Sequence, residues 1–88
     1  MDVNARPRRD PHCVEEILEG EIVLYGAGAT QAFYLNETAS LVWMLINGER
    51  TVGDITALLC EAYPEATTAR EDVAGVMAQL LRHGVVRL

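Results

Sequence analysis

The sequence contains no lysine, so all seven of its basic residues are arginines, against thirteen carboxylates in 88 residues. The formal net charge is −6. Arg6, Arg8 and Arg9 all precede Cys13, so the rest of the chain is more acidic than the whole. Because contacts with phosphate groups require cations, this charge balance disfavours a nucleic-acid-binding role for the folded part.

The residues that carry catalysis are also scarce. Ser40 is the only serine, and it lacks the glycines of a nucleophile elbow. Cys13 and Cys60 are too far apart in sequence for a C-x-x-C motif or a zinc knuckle. The two histidines, His12 and His83, have no convincing catalytic partner nearby in sequence. We therefore expect no enzymatic activity, no metal site and no cofactor.

Long hydrophobic runs are absent as well. No apolar run reaches the roughly 18–20 residues that span a bilayer, and the N-terminus lacks the hydrophobic segment of a secretory signal. We expect a cytoplasmic protein that contacts no membrane and keeps its cysteines reduced. The hydrophobic content of 50% favours one folded domain. We predict a flexible tail over residues 1–12, which carry Pro7 and Pro11, and a domain over residues 13–88.

Strand patterns fill the first part of this domain. Val14–Leu18 and Ile22–Tyr25 are separated by a short turn and are rich in aliphatic and β-branched residues. Gln31–Leu35 alternates two sets of side chains between opposite faces, as a strand does. The glycine-rich stretch 26–29 is predicted as a turn, since the further glycines or the Gly-Lys pair of a phosphate loop are missing. Three short strands joined by turns predict an antiparallel meander.

Helical patterns follow. Asn36 is a good N-cap for a first helix over Glu37–Ile46, which is apolar around almost its whole circumference. Such a helix must be buried on most sides or covered by a partner. Thr51 and Asp54 resemble a capping box at the start of a second helix, predicted over Val52–Tyr63.

The third helix is predicted to begin at Thr68, because Thr68 and Glu71 have the spacing of a capping box. Gly84 ends it, and Val85–Leu88 is predicted to close the fold as a strand or extended tail. One flank of this helix combines a shallow apolar surface with one cation. At about 100° per residue, that flank consists of Arg70, Ala74, Met77 and Leu81.

Taken together, these segments resemble the PqqD-like family, small proteins and domains known as recognition elements of ribosomally synthesised and post-translationally modified peptides. The resemblance lies in residues 34–39 (YLNETA), Trp43, residues 47–52 (NGERTV), Ile55 and residues 80–86 (LLRHGVV). It implies an α+β, winged helix-turn-helix-like fold, in which a three-stranded antiparallel meander precedes three α-helices.

The resemblance also implies a function. Such proteins are non-catalytic peptide chaperones, which bind the leader segment of a precursor peptide and deliver it to a modifying enzyme. That enzyme is often a radical S-adenosylmethionine protein, as in the biosynthesis of pyrroloquinoline quinone. In the family the leader pairs with the third strand and lies against the last helix, which here map to Gln31–Leu35 and Thr68–Arg82.

The mechanism follows from the strand itself. An unpaired edge strand exposes N–H and C=O groups that a peptide can satisfy, while neighbouring side chains supply specificity. We expect apolar contacts from Phe33, Tyr34, Val73 and Met77, and a leader carboxylate beside Arg70. The predicted peptide-binding residues are Gln31, Ala32, Phe33, Tyr34, Leu35, Arg70, Val73, Ala74, Met77 and Leu81.

Two alternatives stay open at this point. A winged-helix DNA-binding regulator fits the helix pair around residues 47–50, although the second helix carries Asp54 and Glu61 and no basic residue. A structural subunit is the other alternative, in which the apolar first helix forms an oligomer interface. A homodimer is compatible with either function, and the sequence names neither the precursor peptide nor the modifying enzyme.

Overall fold

The computed structural model describes residues 2–19, 21–26, 32–65 and 67–88. Gln31, Gly20 and most of the predicted turn at 26–29 lie outside the described residues. The strands are β1 (Arg8–Arg9), β2 (Val14–Leu18), β3 (Glu21–Tyr25), β4 (Phe33–Leu35) and β5 (Val86–Arg87). The helices are α1 (Glu37–Leu45), α2 (Val52–Ala62) and α3 (Ala69–Arg82). An antiparallel sheet of order β2-β3-β4 precedes the three helices, which confirms the predicted fold class.

The central strand of this sheet is β3. It pairs on one side with β2 and on the other with β4, where Ile22 lies opposite Leu35 and Leu24 lies opposite Phe33. Among the described residues, no strand pairs with the outer edge of β4 or with that of β2. Every residue of β2 is exposed, whereas the middle of β3 is buried. The sheet therefore has two free edges with different surroundings.

The core lies between this sheet and the helices. Trp43 of α1 is almost completely buried and sits among apolar side chains from all three helices and the sheet. The largest fully buried side chains around it are Leu24, Ile55, Leu59, Met77 and Leu80. Met44 is 64% exposed, so the apolar first helix keeps one large side chain in solvent. In the part of the chain described, no helix has the length and hydrophobicity to cross a membrane.

Two of the predicted helix caps form as expected. The side chain of Asn36 accepts a hydrogen bond from the N–H of Ala39 at 2.8 Å. At the start of α2, the N–H of Asp54 donates to the hydroxyl of Thr51 at 3.0 Å, and the Asp54 carboxylate accepts from the N–H of Thr51 at 2.9 Å. These bonds satisfy N–H groups that would otherwise have no partner within the helix.

The capping box predicted at the start of α3 is wrong. The side chain of Thr68 forms no cap bond, and its hydroxyl instead donates to the carboxylate of Asp72 at 3.0 Å. The backbone of Thr68 (φ −114°, ψ 17°) lacks the extended conformation that turns an N-cap side chain toward the helix. At the other end, Gly84 has φ +72°, so the predicted glycine stop is confirmed.

The N-terminal residues, for which a flexible tail is predicted, contact the domain at several points. Residues 2–12 run along the domain, and we call them the N-terminal strap. The N–H groups of Val52 and Gly53, the first two residues of α2, donate to the carbonyls of Ala5 and Val3, each at 2.9 Å. Strand β1 also pairs with β5. The backbone of the strap thus supplies acceptors to a helix end and a partner to a strand.

Two side chains fasten the strap. The guanidinium of Arg9 lies 4.5 Å from the centroid of the Trp43 ring and donates to the Trp43 carbonyl at 2.8 Å. The carboxylate of Glu15 accepts from the indole N–H of Trp43 and lies 3.7 Å from Arg9. Asp10 is buried and forms an ion pair with Arg87 of β5 at 2.9 Å. The strap thus contacts α1, α2 and β5.

Candidate functional site

The outer edge of β4 is the first part of the site. Its backbone N–H and C=O groups face no other strand of the described residues. Leu35 is buried and Phe33 half-buried, while Tyr34 is 68% exposed on the opposite face of the strand. Ala32, just before the strand, is half-buried. The predicted alternation of these side chains is present, and the edge can accept one more strand.

A groove of about 330 Å³ adjoins the end of this strand. One wall is formed by Asn36 and Thr38, which follow β4 directly. The other wall comes from the first three turns of α3 and consists of Glu71, Asp72, Gly75, Val76 and Gln79. We call the space between β4, Asn36, Thr38 and this flank of α3 the strand–helix cleft.

The opposite end of the cleft is marked by an aromatic contact. The imidazole of His83 stacks on the ring of Phe33, with centroids 4.0 Å apart. From Asp72 to His83, α3 rises about 16 Å, at 1.5 Å per residue. An extended peptide covers that distance with about five residues, at roughly 3.3 Å each. The cleft therefore has the length of a short strand.

Gly75 opens the middle of this flank. A side chain built at Gly75 would meet no atom within 4 Å, so the missing Cβ leaves free space in the groove that Asn36 and Thr38 line from the other side. The sequence already shows small residues in this part of α3, at Ala74, Gly75 and Ala78. The sequence prediction did not include Gly75 among the site residues, because small residues alone do not show which neighbour a helix faces.

The predicted flank of α3 faces elsewhere. Arg70 and Ala74 line a different cavity, of about 510 Å³, together with residues of α2 and with Val3 of the strap. Val73 and Met77 are fully buried in the core, and Leu81 is half-buried against it. Of the four predicted flank residues, Arg70 and Ala74 thus border a cavity shared with α2, and none of the four lines the groove of the cleft. Periodicity defines two flanks beside the buried stripe and does not say which one meets the sheet.

The charge of the cleft is negative at one end. Glu71 and Asp72 line the groove at that end, and no arginine lines it among the described residues. Arg70, predicted to meet a leader carboxylate, lies on the other flank of α3. In the described part of the chain, no group of three or more His, Cys, Asp or Glu side chains could hold a metal ion. The groove thus combines two carboxylates with the apolar side chain of Val76 and the amide of Gln79.

Comparison with known proteins relates the chain to one family. The family described as Coenzyme PQQ synthesis protein D (PqqD) matches residues 21–86. A PqqA binding protein of Rahnella aquatilis is 34% identical over 65 residues, which are 74% of this chain and 65% of that protein. A PqqA binding protein of Klebsiella pneumoniae strain 342 is 39% identical over 59 residues, 67% of this chain and 61% of that protein. The chain thus spans less than two thirds of the length of these curated relatives.

Two solved structures have the same fold. One is TbiB1 in complex with the TbiA(beta) leader peptide, with a TM-score of 0.79, 18% identity, and coverage of 91% of this chain and 94% of that one. The other is a lasso peptide synthetase B1 complexed with the leader peptide, with a TM-score of 0.80 and 22% identity. It covers 96% of this chain and 100% of that one. At these identities, the likeness supports the arrangement of a three-stranded sheet before three helices.

Proposed function

Since the chain belongs to the PqqD family, we propose that it binds the leader segment of a ribosomally synthesised precursor peptide and presents it to a modifying enzyme. The chain itself performs no chemistry in this proposal. The modifying enzyme acts on another part of the same peptide, and the radical S-adenosylmethionine class is the one we propose. The free cysteines Cys13 and Cys60 suit a reducing compartment, so we place this function in the cytoplasm.

The observation that carries the proposal is the free edge of β4 beside the strand–helix cleft. An added peptide strand would pair its backbone with Phe33–Leu35, which provides affinity with little demand on sequence. Its alternate side chains would point toward the α3 flank, where Gly75 leaves room and Val76 offers an apolar surface. Strand addition thus accounts for binding, and the flank accounts for selectivity.

The residues proposed to contact the peptide combine the predicted strand with the flank that the fold brings to it. On the strand side they are Ala32, Phe33, Tyr34 and Leu35, with Gln31 retained as a prediction outside the described residues. On the helix side they are Asp72, Gly75, Val76 and Gln79. Val73 and Met77 act from the core by holding α3 in place, because neither is exposed. Arg70, Ala74 and Leu81 are not proposed as contacts.

The proposal is tested by mapping a bound peptide on the ¹⁵N-labelled protein. The probes are synthetic PqqA and the leader of a precursor peptide encoded beside this gene. We expect amide shifts at Phe33–Leu35 and along the cleft flank of α3, with a Kd in the micromolar range or below. Strand β2 is the internal control, because its outer edge is also free. Shifts confined to β2, or no binding of either probe, would refute the proposal.

A second arm tests main-chain pairing. Proline cannot donate a backbone hydrogen bond, so proline scanning of the bound peptide should weaken binding at least tenfold where the peptide pairs with β4. Proline at positions outside the mapped segment serves as the control and should change the Kd less than twofold. Uniform tolerance of proline would show that the peptide binds by side chains alone.

A further inference from the structure

A third cavity, of about 450 Å³, lies where α1 begins, α2 ends and α3 begins. It is lined by Thr38, Leu59, Ala62, Tyr63, Pro64, Glu65 and Asp72, so two carboxylates stand at its border. We call it the helix-end pocket. Thr38 and Asp72 also line the groove of the strand–helix cleft, so the two cavities meet at these residues. A chain that leaves the cleft beside Thr38 or Asp72 would therefore lie next to the pocket.

The walls of the helix-end pocket are mainly apolar. Leu59 is only 2% exposed and reaches the pocket from the core, while Pro64 and Ala62 border it at the end of α2. The hydroxyl of Tyr63 donates to the carboxylate of Glu37 at 3.0 Å, so its polar atom already has a partner. The ring of Tyr63 then contributes carbon surface. Such a pocket suits an apolar side chain, because burying apolar surface against these walls is favourable, while the exposed carboxylates of Glu65 and Asp72 stay in solvent at its border.

The distances connect this pocket with a peptide on β4. The three residues of β4 pair with about 10 Å of an added strand, whereas the cleft runs about 16 Å along α3. A peptide that fills the cleft therefore extends about two residues beyond Leu35. Those residues reach Thr38 and Asp72, where the helix-end pocket opens.

We propose, resting on the function proposed above, that the bound peptide inserts one large apolar side chain into the helix-end pocket. This side chain belongs to the segment just beyond the strand-paired residues. The peptide therefore carries two recognition elements, an extended stretch for β4 and an apolar anchor close to one end of it. The cavity on the other flank of α3, which Arg70 and Ala74 line, takes no part.

Two alanines of α2 give a matched test. Ala62 and Ala57 are both exposed, but Ala62 lines the helix-end pocket and Ala57 lines the cavity on the other flank of α3. The Kd of the mapped peptide is measured for Ala62→Trp and Ala57→Trp by fluorescence anisotropy, and thermal melts establish that both variants fold. We expect Ala62→Trp to weaken binding at least tenfold and Ala57→Trp to change it less than twofold.

Substitution in the peptide provides a second measurement that does not alter the protein. Replacing the anchor residue by alanine should weaken binding to the wild type at least tenfold and have little further effect on Ala62→Trp, because both changes remove one interaction. Wild-type affinity in Ala62→Trp, or additive losses, would overturn the anchor while amide shifts at β4 still supported peptide binding. Absence of those shifts for every probe would overturn the proposed function and the anchor together.

Discussion

The imidazole of His83 lies parallel to the ring of Phe33 within 16°, at a centroid distance of 4.0 Å. This contact joins the C-terminal end of α3 to β4, and the two residues are 50 positions apart in the sequence, from 33 to 83. It therefore holds one end of the strand–helix cleft at a fixed width. Rigid walls favour binding, because less freedom is lost when the peptide enters.

We expect the contribution of this stack to stability to appear as coupling between the two residues. Phe33→Ala and His83→Ala should each lower the free energy of unfolding, and the double variant should lose less than the sum. The expected coupling is about 0.5–1.5 kcal/mol, measured by urea denaturation of all four proteins. Phe33→Leu is the control, since it keeps apolar bulk but removes the ring. Strict additivity would show that the stack contributes nothing.

Two substitutions of Gly75 are expected to affect different properties, the stability of α3 and the binding of a peptide. Gly75→Ala should raise the free energy of unfolding by about 1 kcal/mol, because glycine is unfavourable inside a helix and a Cβ there meets open space. Gly75→Trp should fill the cleft and weaken peptide binding at least tenfold while the protein stays folded. Ala78→Trp, at another exposed position of α3, is the control. Equal effects at both positions would mean that the peptide does not lie beside Gly75.

Arg9 should stabilise the fold through Trp43. Its guanidinium faces the indole ring and donates to the backbone of α1, so Arg9→Ala should lower the free energy of unfolding by about 1–2 kcal/mol. Arg9→Lys should recover little of this, because an ammonium group lacks the planar fork. The fluorescence of Trp43, the only tryptophan, reports the transition. Arg8→Ala is the neighbouring control, and an equal loss there would contradict a specific role for Arg9.

The ion pair of Asp10 predicts a pH dependence. The N–H of His12 donates to the Asp10 carboxylate at 2.8 Å, and this bond, with Arg87, lowers the pKa of Asp10 below its ordinary value. A pKa lowered by folding adds stability above the unfolded-state pKa, which is lost as the pH falls through the folded-state pKa. Asp10→Asn should therefore melt below the wild type at pH 7.

The difference in melting temperature should shrink as the pH falls below about 4. Glu16→Gln, which changes an exposed carboxylate of β2, is the control for the general effect of charge. If the melting temperatures of the wild type and Asp10→Asn differ as much at pH 3 as at pH 7, the variant is destabilised by altered packing and not by the lost charge.

The helices and strands were predictable because their signals are local. Asn36 and the pair Thr51–Asp54 cap their helices through side chains a few residues away, and the sequence displays both patterns. Thr68 and Glu71 display the same spacing, but the backbone turns Thr68 toward Asp72 instead. A capping pattern shows which side-chain hydrogen bonds could form at a helix start. The backbone conformation of the residue before the helix determines which of them do form.

The strap and the helix-side part of the candidate site could not be predicted by the same means. The carbonyls of Val3 and Ala5 accept hydrogen bonds from the first N–H groups of α2. Every residue has a backbone carbonyl, so no residue type in the sequence indicates this kind of capping. On α3, both flanks of the buried stripe carry small and polar residues. Whether the flank of Arg70 or the flank of Asp72 borders the cleft depends on where the sheet lies. That choice is made by tertiary packing, which a helical period does not encode.

The free edge of the sheet at β2 carries two adjacent carboxylates, Glu15 and Glu16, between exposed apolar side chains. In an antiparallel self-pairing centred on Glu16, two copies would bring identical carboxylates face to face, and like charges opposite one another oppose pairing. Charged gatekeepers of this kind discourage edge-to-edge aggregation. Two copies that paired through this edge would meet at like charges, so the proposed addition of a peptide to the opposite edge would face less competition from self-association.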